Sequence, residues 1–98
     1  MAKIRLTARA FADLERIFEF TAAHDPARAQ RTVRRIREAI MILENHPLIG
    51  RVVEDGRHEL IMSRGRDAYV ALYRWRLAED TVLVLAIRHA REAGYSTD

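Results

Sequence analysis

The residues best suited to chemistry form a small group near the end of the chain. They are Arg88, His89, Arg91 and Tyr95. Arginine can stabilise the charge of a phosphorane, and histidine or tyrosine can shuttle a proton or stack on a base. The group therefore suits a metal-free ribonuclease. The competing interpretation is a charged sheet edge that resists aggregation, and it is favoured because no carboxylate and histidine stand at a spacing that marks a general base.

Further arginines come from the neighbouring predicted strands and from the second predicted helix. Lys3 is the only lysine among 17 lysine and arginine residues, and arginine suits bidentate contact with phosphate or carboxylate. The strands and their turn contribute Arg57, Arg64, Arg66 and Arg74. The outer face of the second helix carries Arg28, Arg31, Arg34, Arg35 and Arg37. Such a stripe is typical of a solvated helix face. The alternatives are an acidic partner or nucleic acid, although a single-strand-binding surface would interleave aromatic residues.

Several other classes of site are excluded or disfavoured by the sequence. The chain has no cysteine, which excludes disulfides, thiolate metal sites and cysteine nucleophiles. The four histidines fit no metal-binding spacing. We find no G-x-S-x-G motif, glycine-rich phosphate loop or paired carboxylates. The sequence therefore predicts neither a metal nor a cofactor.

Composition describes a small globular protein. The 98 residues are 49% hydrophobic and 32% charged, with a net charge of +3, which predicts one domain over residues 1–98. A charge of +3 does not decide between nucleic acid and an acidic protein as partner. No apolar run is long enough to span a membrane, and the N-terminus lacks the apolar region of a signal peptide. We therefore expect a cytoplasmic protein.

Two helices should follow a short N-terminal strand over residues 3–6. Thr7 is a suitable N-cap for the first helix, over residues 8–23, and Asp25 for the second, which begins at Pro26. His46-Pro47 stops the second helix, so the two should form an antiparallel hairpin. The first helix has Asp13 on its polar side and an apolar stripe of Phe11, Leu14, Ile17, Phe18 and Thr21. The seam of the second consists of Ala29, Val33, Ile36, Ile40 and Leu43.

Three strand-like runs complete the chain. Residues 47–51 and 52–56 are predicted as a turn and a loop, and strands as 57–63, 68–76 and 81–89. The segregation of helices and strands predicts an α+β fold, with a two-helix hairpin on one face of a mostly antiparallel sheet that ends in a three-stranded meander.

The third run creates a burial problem, because two helices cover only one face of a sheet. A strand covered on one side should alternate apolar with polar residues, yet residues 82–87 are apolar throughout. Val70 and Leu72 add to the second face. Exposed apolar groups mark an interaction surface. Either the tail or the loop at 48–53 folds over this face, or a protein partner or second copy covers it.

Nearly the whole chain resembles the RelE/ParE superfamily, the toxins of bacterial type II toxin–antitoxin modules. Its motifs are individually weak, and the resemblance depends on their order and spacing. They are Leu6-Thr7, Ala12-Asp13-Leu14, Ile17, Asp25-Pro26, Ala29, Leu43, His46-Pro47, Gly50-Arg51, Arg57-His58-Glu59-Leu60, Tyr69-Val70-Ala71-Leu72-Tyr73-Arg74, and Val84-Leu85-Ala86-Ile87-Arg88-His89 with Arg91. The resemblance implies the same order of elements as derived above.

The branch of the superfamily decides the implied mechanism. ParE-like members poison DNA gyrase without catalysis, whereas RelE-like members cut mRNA on the ribosome. Val70 stands where ribonuclease members tend to carry an arginine, and no His-Tyr pair ends the chain. The helical hairpin and the Pro-x-x-Gly-Arg turn also look ParE-like. Arg91 and Tyr95, however, match the tail spacing of RelE-like members. We favour ParE, and keep the ribonuclease and a non-toxic interaction homologue as alternatives.

The resemblance also implies partners and surfaces. We expect a plasmid-stabilisation toxin that arrests growth and forms a hetero-oligomer with an antitoxin, with a homodimer as a further possibility. Antitoxin contacts are expected at Val70, Leu72, Val82, Val84, Ala86, Arg31 and Arg35. Target contacts are expected at Arg57, Arg64, Arg66, Arg74 and Arg91. No catalytic residue is expected for a ParE-like toxin; a ribonuclease would use Arg88, His89, Arg91 and Tyr95.

Overall fold

The computed structural model describes residues 1–62 and 68–92, and it has the predicted α+β order. The elements are β1 (Lys3–Leu6), α1 (Ala8–Ala22), α2 (Pro26–Met41), β2 (Arg51–Val52), β3 (His58–Met62), β4 (Tyr69–Arg76) and β5 (Thr81–His89). The helices form a hairpin that covers one face of the sheet. The predicted strands at 3–6 and 81–89 match β1 and β5 residue for residue, and the described ends of the first helix, β3 and β4 differ from their predictions by at most one residue. The second helix ends at Met41, earlier than the predicted stop at His46-Pro47, because a short 3₁₀ helix over Ile42–Glu44 follows it.

The sheet has five strands in the order β1-β5-β4-β3-β2. β1 runs parallel to β5, and every other neighbouring pair is antiparallel. The loop predicted at 52–56 is therefore wrong at its start, because Arg51 pairs with Glu59 and Val52 with His58. Two residues are too few to show a period, so sequence pattern could not reveal β2.

Both predicted helix caps are confirmed. The Thr7 hydroxyl accepts a hydrogen bond from the Ala10 N–H at 3.1 Å and donates to the Leu85 carbonyl at 3.0 Å. The Asp25 carboxylate accepts from the Arg28 N–H at 3.1 Å, with Pro26 in the first turn. Each cap satisfies an N–H that the helix itself leaves without a partner. Thr7 also ties the start of α1 to the central strand β5.

The core lies between the hairpin and the sheet. Ile36 and Leu43 on the α2 side pack with Tyr73, Val82 and Val84, and all five side chains are fully buried. Burial of a Val, Leu or Ile side chain stabilises the fold by about 1.5–3 kcal/mol. The apolar seam predicted for the second helix thus faces the core.

The buried stripe of α1 differs from the predicted one. It comprises Ala10, Asp13, Leu14 and Ile17, whereas Phe11 is 57% exposed. Asp13, expected on the polar side, is buried because its carboxylate accepts the Ile87 N–H at 2.8 Å. β1 pairs with β5 only as far as Val84, so Asp13 supplies an acceptor farther along the same strand. In the described residues, no helix is long and apolar enough to cross a bilayer.

Candidate functional site

Arg88 and His89, adjacent in the candidate catalytic group, lie on opposite faces of the sheet. Successive side chains of a strand point to opposite faces. His89 packs edge-on against Tyr69, with ring centroids 5.1 Å apart, on the side of the helices. Arg88 pairs across the sheet with Val70 on the other side. The sequence motif is therefore divided between two surfaces with different surroundings.

On the face without helices, Arg88 is held by the protein itself. One guanidinium nitrogen donates to the carbonyls of His89, Ala90 and Glu92 at 3.1–3.2 Å. The other lies 3.9 Å from a carboxylate oxygen of Glu59. The Arg88 side chain is only 16% exposed. Its hydrogen bonds hold the turn that follows β5, which leaves little of the guanidinium accessible to a phosphate.

Glu59 joins Arg88 to Arg51 in what we call the closed network. The buried Glu59 carboxylate accepts a hydrogen bond from Arg51, which β2 brings beside it. A buried carboxylate needs such charged partners, because burial without them is strongly unfavourable. The network of Arg51, Glu59 and Arg88 lies on the face that carries Val70 and Leu72.

The closed network corrects the prediction of an open apolar centre on this face. Val70, Leu72 and Ala86 are 5%, 7% and 1% exposed, and Arg88 and Glu59 are the cross-strand neighbours of Val70 and Leu72. Long charged side chains can shield apolar surface with their stems. One group of exposed apolar residues lies instead around the β2 edge, at Leu48, Ile49, Val52 and Ile61.

The antitoxin contacts predicted at Val82 and Val84 need a second correction. Both side chains are fully buried in the core with the helices, so neither is accessible to a partner. The error arose because a wholly apolar strand does not reveal which of its faces meets the helices. Arg31 and Arg35 are exposed on α2.

The arginines predicted to contact a target do not form one surface. Arg57 donates to the Glu54 carbonyl at 3.1 Å beside the turn that precedes β3. Arg74 is five residues along β4 from Tyr69, which places it roughly 17 Å from the strand end where Arg91 lies. Arg64, Arg66 and Tyr95 lie outside the described residues.

On the helix side, the end of the sheet and the turn of the hairpin line a half-open cavity of about 540 Å³. We call it the hairpin cavity. Its lining includes Ile17, Phe20, His24, Arg28, Tyr69 and His89. His89 is predicted from the sequence as a candidate site residue, whereas Phe20 and Tyr69 are not, because neither is near it in sequence. Tyr69 is its cross-strand partner.

Hydrogen bonds fix the tautomer of His89 and the partners of Glu92 in the lining of the hairpin cavity. Nδ1 of His89 accepts the Arg91 N–H at 3.0 Å, so the proton of the neutral imidazole is on Nε2. Glu92 accepts from Arg16 at 3.1 Å and from the His89 N–H at 3.3 Å. Within residues 1–62 and 68–92, no three histidine, aspartate or glutamate side chains converge to hold a metal.

Tyr73 anchors the turn that leads into β2. Its hydroxyl accepts the Gly50 N–H at 2.9 Å, and burial raises its pKa above the ordinary value of 10.0. A methyl group on Gly50 would lie 2.7 Å from the Tyr73 ring and from the Glu59 carbonyl. Glycine therefore permits the close approach that brings Arg51 to Glu59.

Comparison with known proteins gives a consistent family. Residues 4–94 match the model of the ParE toxin of the type II toxin–antitoxin system parDE. A comparison with curated protein sequences gave no significant match.

Solved structures show the same fold. A chain of the chromosomal ParDE system from P. aeruginosa is 25% identical, with coverage of 91% of this chain and 96% of that one and a TM-score of 0.78. A chain of the RelBE2 toxin–antitoxin complex from Mycobacterium tuberculosis is 25% identical, with 90% and 96% coverage and a TM-score of 0.66. A chain of the E. coli RelBE complex is 12% identical, with coverage of 94% of this chain and 100% of that one and a TM-score of 0.64. This likeness shows similarity of fold alone.

Proposed function

Because the chain belongs to the ParE toxin family of type II toxin–antitoxin systems, we propose that it arrests bacterial growth by inhibiting DNA gyrase. A cognate antitoxin neutralises it by direct binding. The family match over residues 4–94 carries this proposal, and the higher TM-score of the ParDE neighbour than of the two RelBE neighbours supports it. Gyrase acts on chromosomal DNA, so the toxin would act in the cytoplasm.

The division of the candidate catalytic group supports a non-enzymatic mechanism. A metal-free ribonuclease needs its cations and its proton-transfer group around one phosphate. Arg88 and His89 lie on opposite faces, and Arg88 is held by three carbonyls and Glu59. The two residues therefore do not converge on a single phosphate in this arrangement.

A RelE-like ribonuclease is the second candidate, and one feature favours it. His89 and Arg91 line the same cavity, with the imidazole proton on Nε2 as derived above. This pair could position a phosphate, with the Nε2–H as a hydrogen-bond donor to one of its oxygens. The similarity to the RelBE2 chain at 25% identity adds weight to this candidate.

Because Val82 and Val84 are buried, an antitoxin would have to bind a different surface. The exposed apolar residues Leu48, Ile49, Val52 and Ile61 lie at one edge of the sheet. Burial of such a group by a partner is favourable. Arg31 and Arg35 on α2 could pair with acidic segments of the same antitoxin. The neighbouring structures are named as ParDE and RelBE systems or complexes, which supports an antitoxin partner.

The decisive experiment compares two targets with one protein preparation. Purified protein is added to DNA gyrase in a supercoiling assay, and mRNA 5′ ends are mapped after expression in cells. Our proposal expects loss of supercoiling and no new mRNA ends in the ribosomal A site. Full supercoiling at saturating protein, together with new A-site ends, would establish the ribonuclease instead.

A matched pair of variants sharpens this test. His89→Asn removes the imidazole that lines the hairpin cavity and accepts the Arg91 N–H, and His46→Asn changes an exposed histidine outside the cavity. We expect both variants to inhibit gyrase within about twofold of the unchanged protein, because inhibition by binding needs no proton transfer. A ribonuclease would lose about 100-fold or more of its activity with His89→Asn alone. Co-expression of the antitoxin should restore growth in every toxic variant.

A further inference from the structure

We propose that the hairpin cavity binds a nucleoside monophosphate, with the base among the aromatic side chains and the phosphate at Arg91 and His89. The inference is independent of the gyrase proposal, because it concerns a small-molecule site. Sites for small molecules are concave, largely apolar, and about 300–1,000 Å³ in volume. The hairpin cavity, at about 540 Å³, falls in this range.

Aromatic and aliphatic side chains supply the surface for a flat ring. Ile17 and Tyr69 are 4% and 7% exposed and form the buried part of the lining. Phe20 is 75% exposed although it lines the cavity, and it packs edge-on against His24 with ring centroids 6.2 Å apart. An exposed phenylalanine beside a cavity gains burial when a ring stacks on it.

The charges around the hairpin cavity favour an anion. Its lining holds the cations Arg16, Arg28 and Arg91 and the carboxylates Asp25 and Glu92. Arg16 already pairs with Glu92 at 3.1 Å, and the Asp25 carboxylate caps α2 by accepting the Arg28 N–H. Positive charge therefore exceeds negative charge even when both histidines are neutral.

Arg91 and His89 give the anion a defined place. The backbone N–H of Arg91 donates to Nδ1 of His89 at 3.0 Å, which leaves the Nε2–H of His89 as a donor. The Arg91 side chain is exposed in the turn after β5, and a guanidinium binds phosphate oxygens bidentately. A ring surface and a phosphate site within one cavity match the two parts of a nucleotide.

The test is a titration of the full chain with adenosine monophosphate, monitored by isothermal titration calorimetry and, in a parallel experiment, by amide chemical shifts in NMR spectra. We expect saturable binding, with the largest shifts at Phe20, Thr21, Tyr69 and His89. Adenosine alone and inorganic phosphate alone should each bind about tenfold more weakly or worse. Equal binding of inorganic phosphate would reduce the site to a simple anion site and overturn the proposal.

Matched variants separate the two halves of the site. Arg91→Gln and Phe20→Ser should each weaken binding by about tenfold. Arg37→Gln and Phe11→Ser change exposed residues outside the cavity and should leave the affinity within about twofold. The proposal fails if no saturation is reached by about 10 mM, or if the control variants weaken binding as much as the cavity variants. It also fails if the shifts map to the outer face of α2, or if only an acidic peptide binds the cavity.

Discussion

The two faces of the sheet at the end of β5 both carry arginines, but their charges are paired on one face and remain in excess on the other. On one face the closed network of Arg51, Glu59 and Arg88 pairs its charges, and it lies beside the buried Val70 and Leu72. On the other, the hairpin cavity combines exposed Phe20 with a positive lining. The residues that begin the two surfaces, Arg88 and His89, are neighbours in sequence. Residues that are adjacent in a strand therefore lie in different surroundings, because successive side chains point to opposite faces of the sheet.

The largest effect should come from breaking the closed network. Glu59→Ala leaves Arg88 without its carboxylate in a partly buried site, so we expect a loss of about 3 kcal/mol in the free energy of unfolding. Urea denaturation measures it. Glu79→Ala is the control, because Glu79 and Arg76 form an exposed pair and its removal should cost about 0.5 kcal/mol. Equal effects of the two variants would show that burial adds nothing to the Glu59 interactions.

Gly50→Ala should weaken the closed network indirectly, by displacing Arg51. The added methyl meets the Tyr73 ring and the Glu59 carbonyl at 2.7 Å, so β2 must move outward and take Arg51 with it. We expect destabilisation of about 2 kcal/mol, measured by thermal and urea unfolding. In a Glu59→Ala background the cost should be smaller, because Arg51 then has no carboxylate to lose. Strict additivity of the two changes would contradict the coupling.

Tyr73→Phe should cost about 1 kcal/mol at neutral pH, because the Gly50 N–H loses its acceptor. The pH dependence provides the sharper test. Since burial raises the folded-state pKa of Tyr73, the folded protein holds the phenolic proton more tightly than the unfolded chain. Stability from this group is thus complete below pH about 10 and declines as pH rises through and above that value. The difference between the unchanged protein and Tyr73→Phe should narrow there; a constant difference would argue against burial of the phenol.

The smallest effect on stability should come from a substitution in the hairpin cavity. His89→Asn removes the edge contact with Tyr69 but keeps a side-chain acceptor, the amide oxygen, for the Arg91 N–H, so we expect a cost of about 0.5–1 kcal/mol in unfolding free energy. His46→Asn, at an exposed site, should change stability by less than about 0.5 kcal/mol. A loss as large as that of Glu59→Ala would mean that the hairpin cavity is structural and that the contrast between the two faces is wrong.

Much of the architecture could be predicted because local rules decide it. Thr7 and Asp25-Pro26 mark helix starts by chemistry that acts within four residues. The seam from Ala29 to Leu43 marks the buried side of α2 by its period alone. β2 escaped prediction because Arg51 and Val52 are too few to show a period. Asp13 was misplaced because its partner, the Ile87 N–H, is 74 residues away in sequence.

The candidate site was less predictable than the fold. Arg88, His89 and Arg91 were identified from residue type and proximity, but their division between two faces depends on which side of β5 meets the helices. Val82 and Val84 show the same difficulty. Both faces of their strand are apolar, so the sequence does not indicate which face meets the helices. Phe20 and Tyr69 carried no signal in the sequence that marked them as site residues, since an isolated aromatic residue is usually part of the core.

The amino-acid sequence by itself determined the order of elements, the helix caps, the apolar seam of α2 and the resemblance to the RelE/ParE toxins, because these depend on residue types at short or ordered spacings. Only the tertiary structure decided that Glu59 closes one face with Arg51 and Arg88, and that Tyr69, Phe20 and His89 surround a cavity on the other. The physical reason is that charge pairing and enclosure act through space. Residues far apart in the chain must be brought within a few ångströms before either interaction exists.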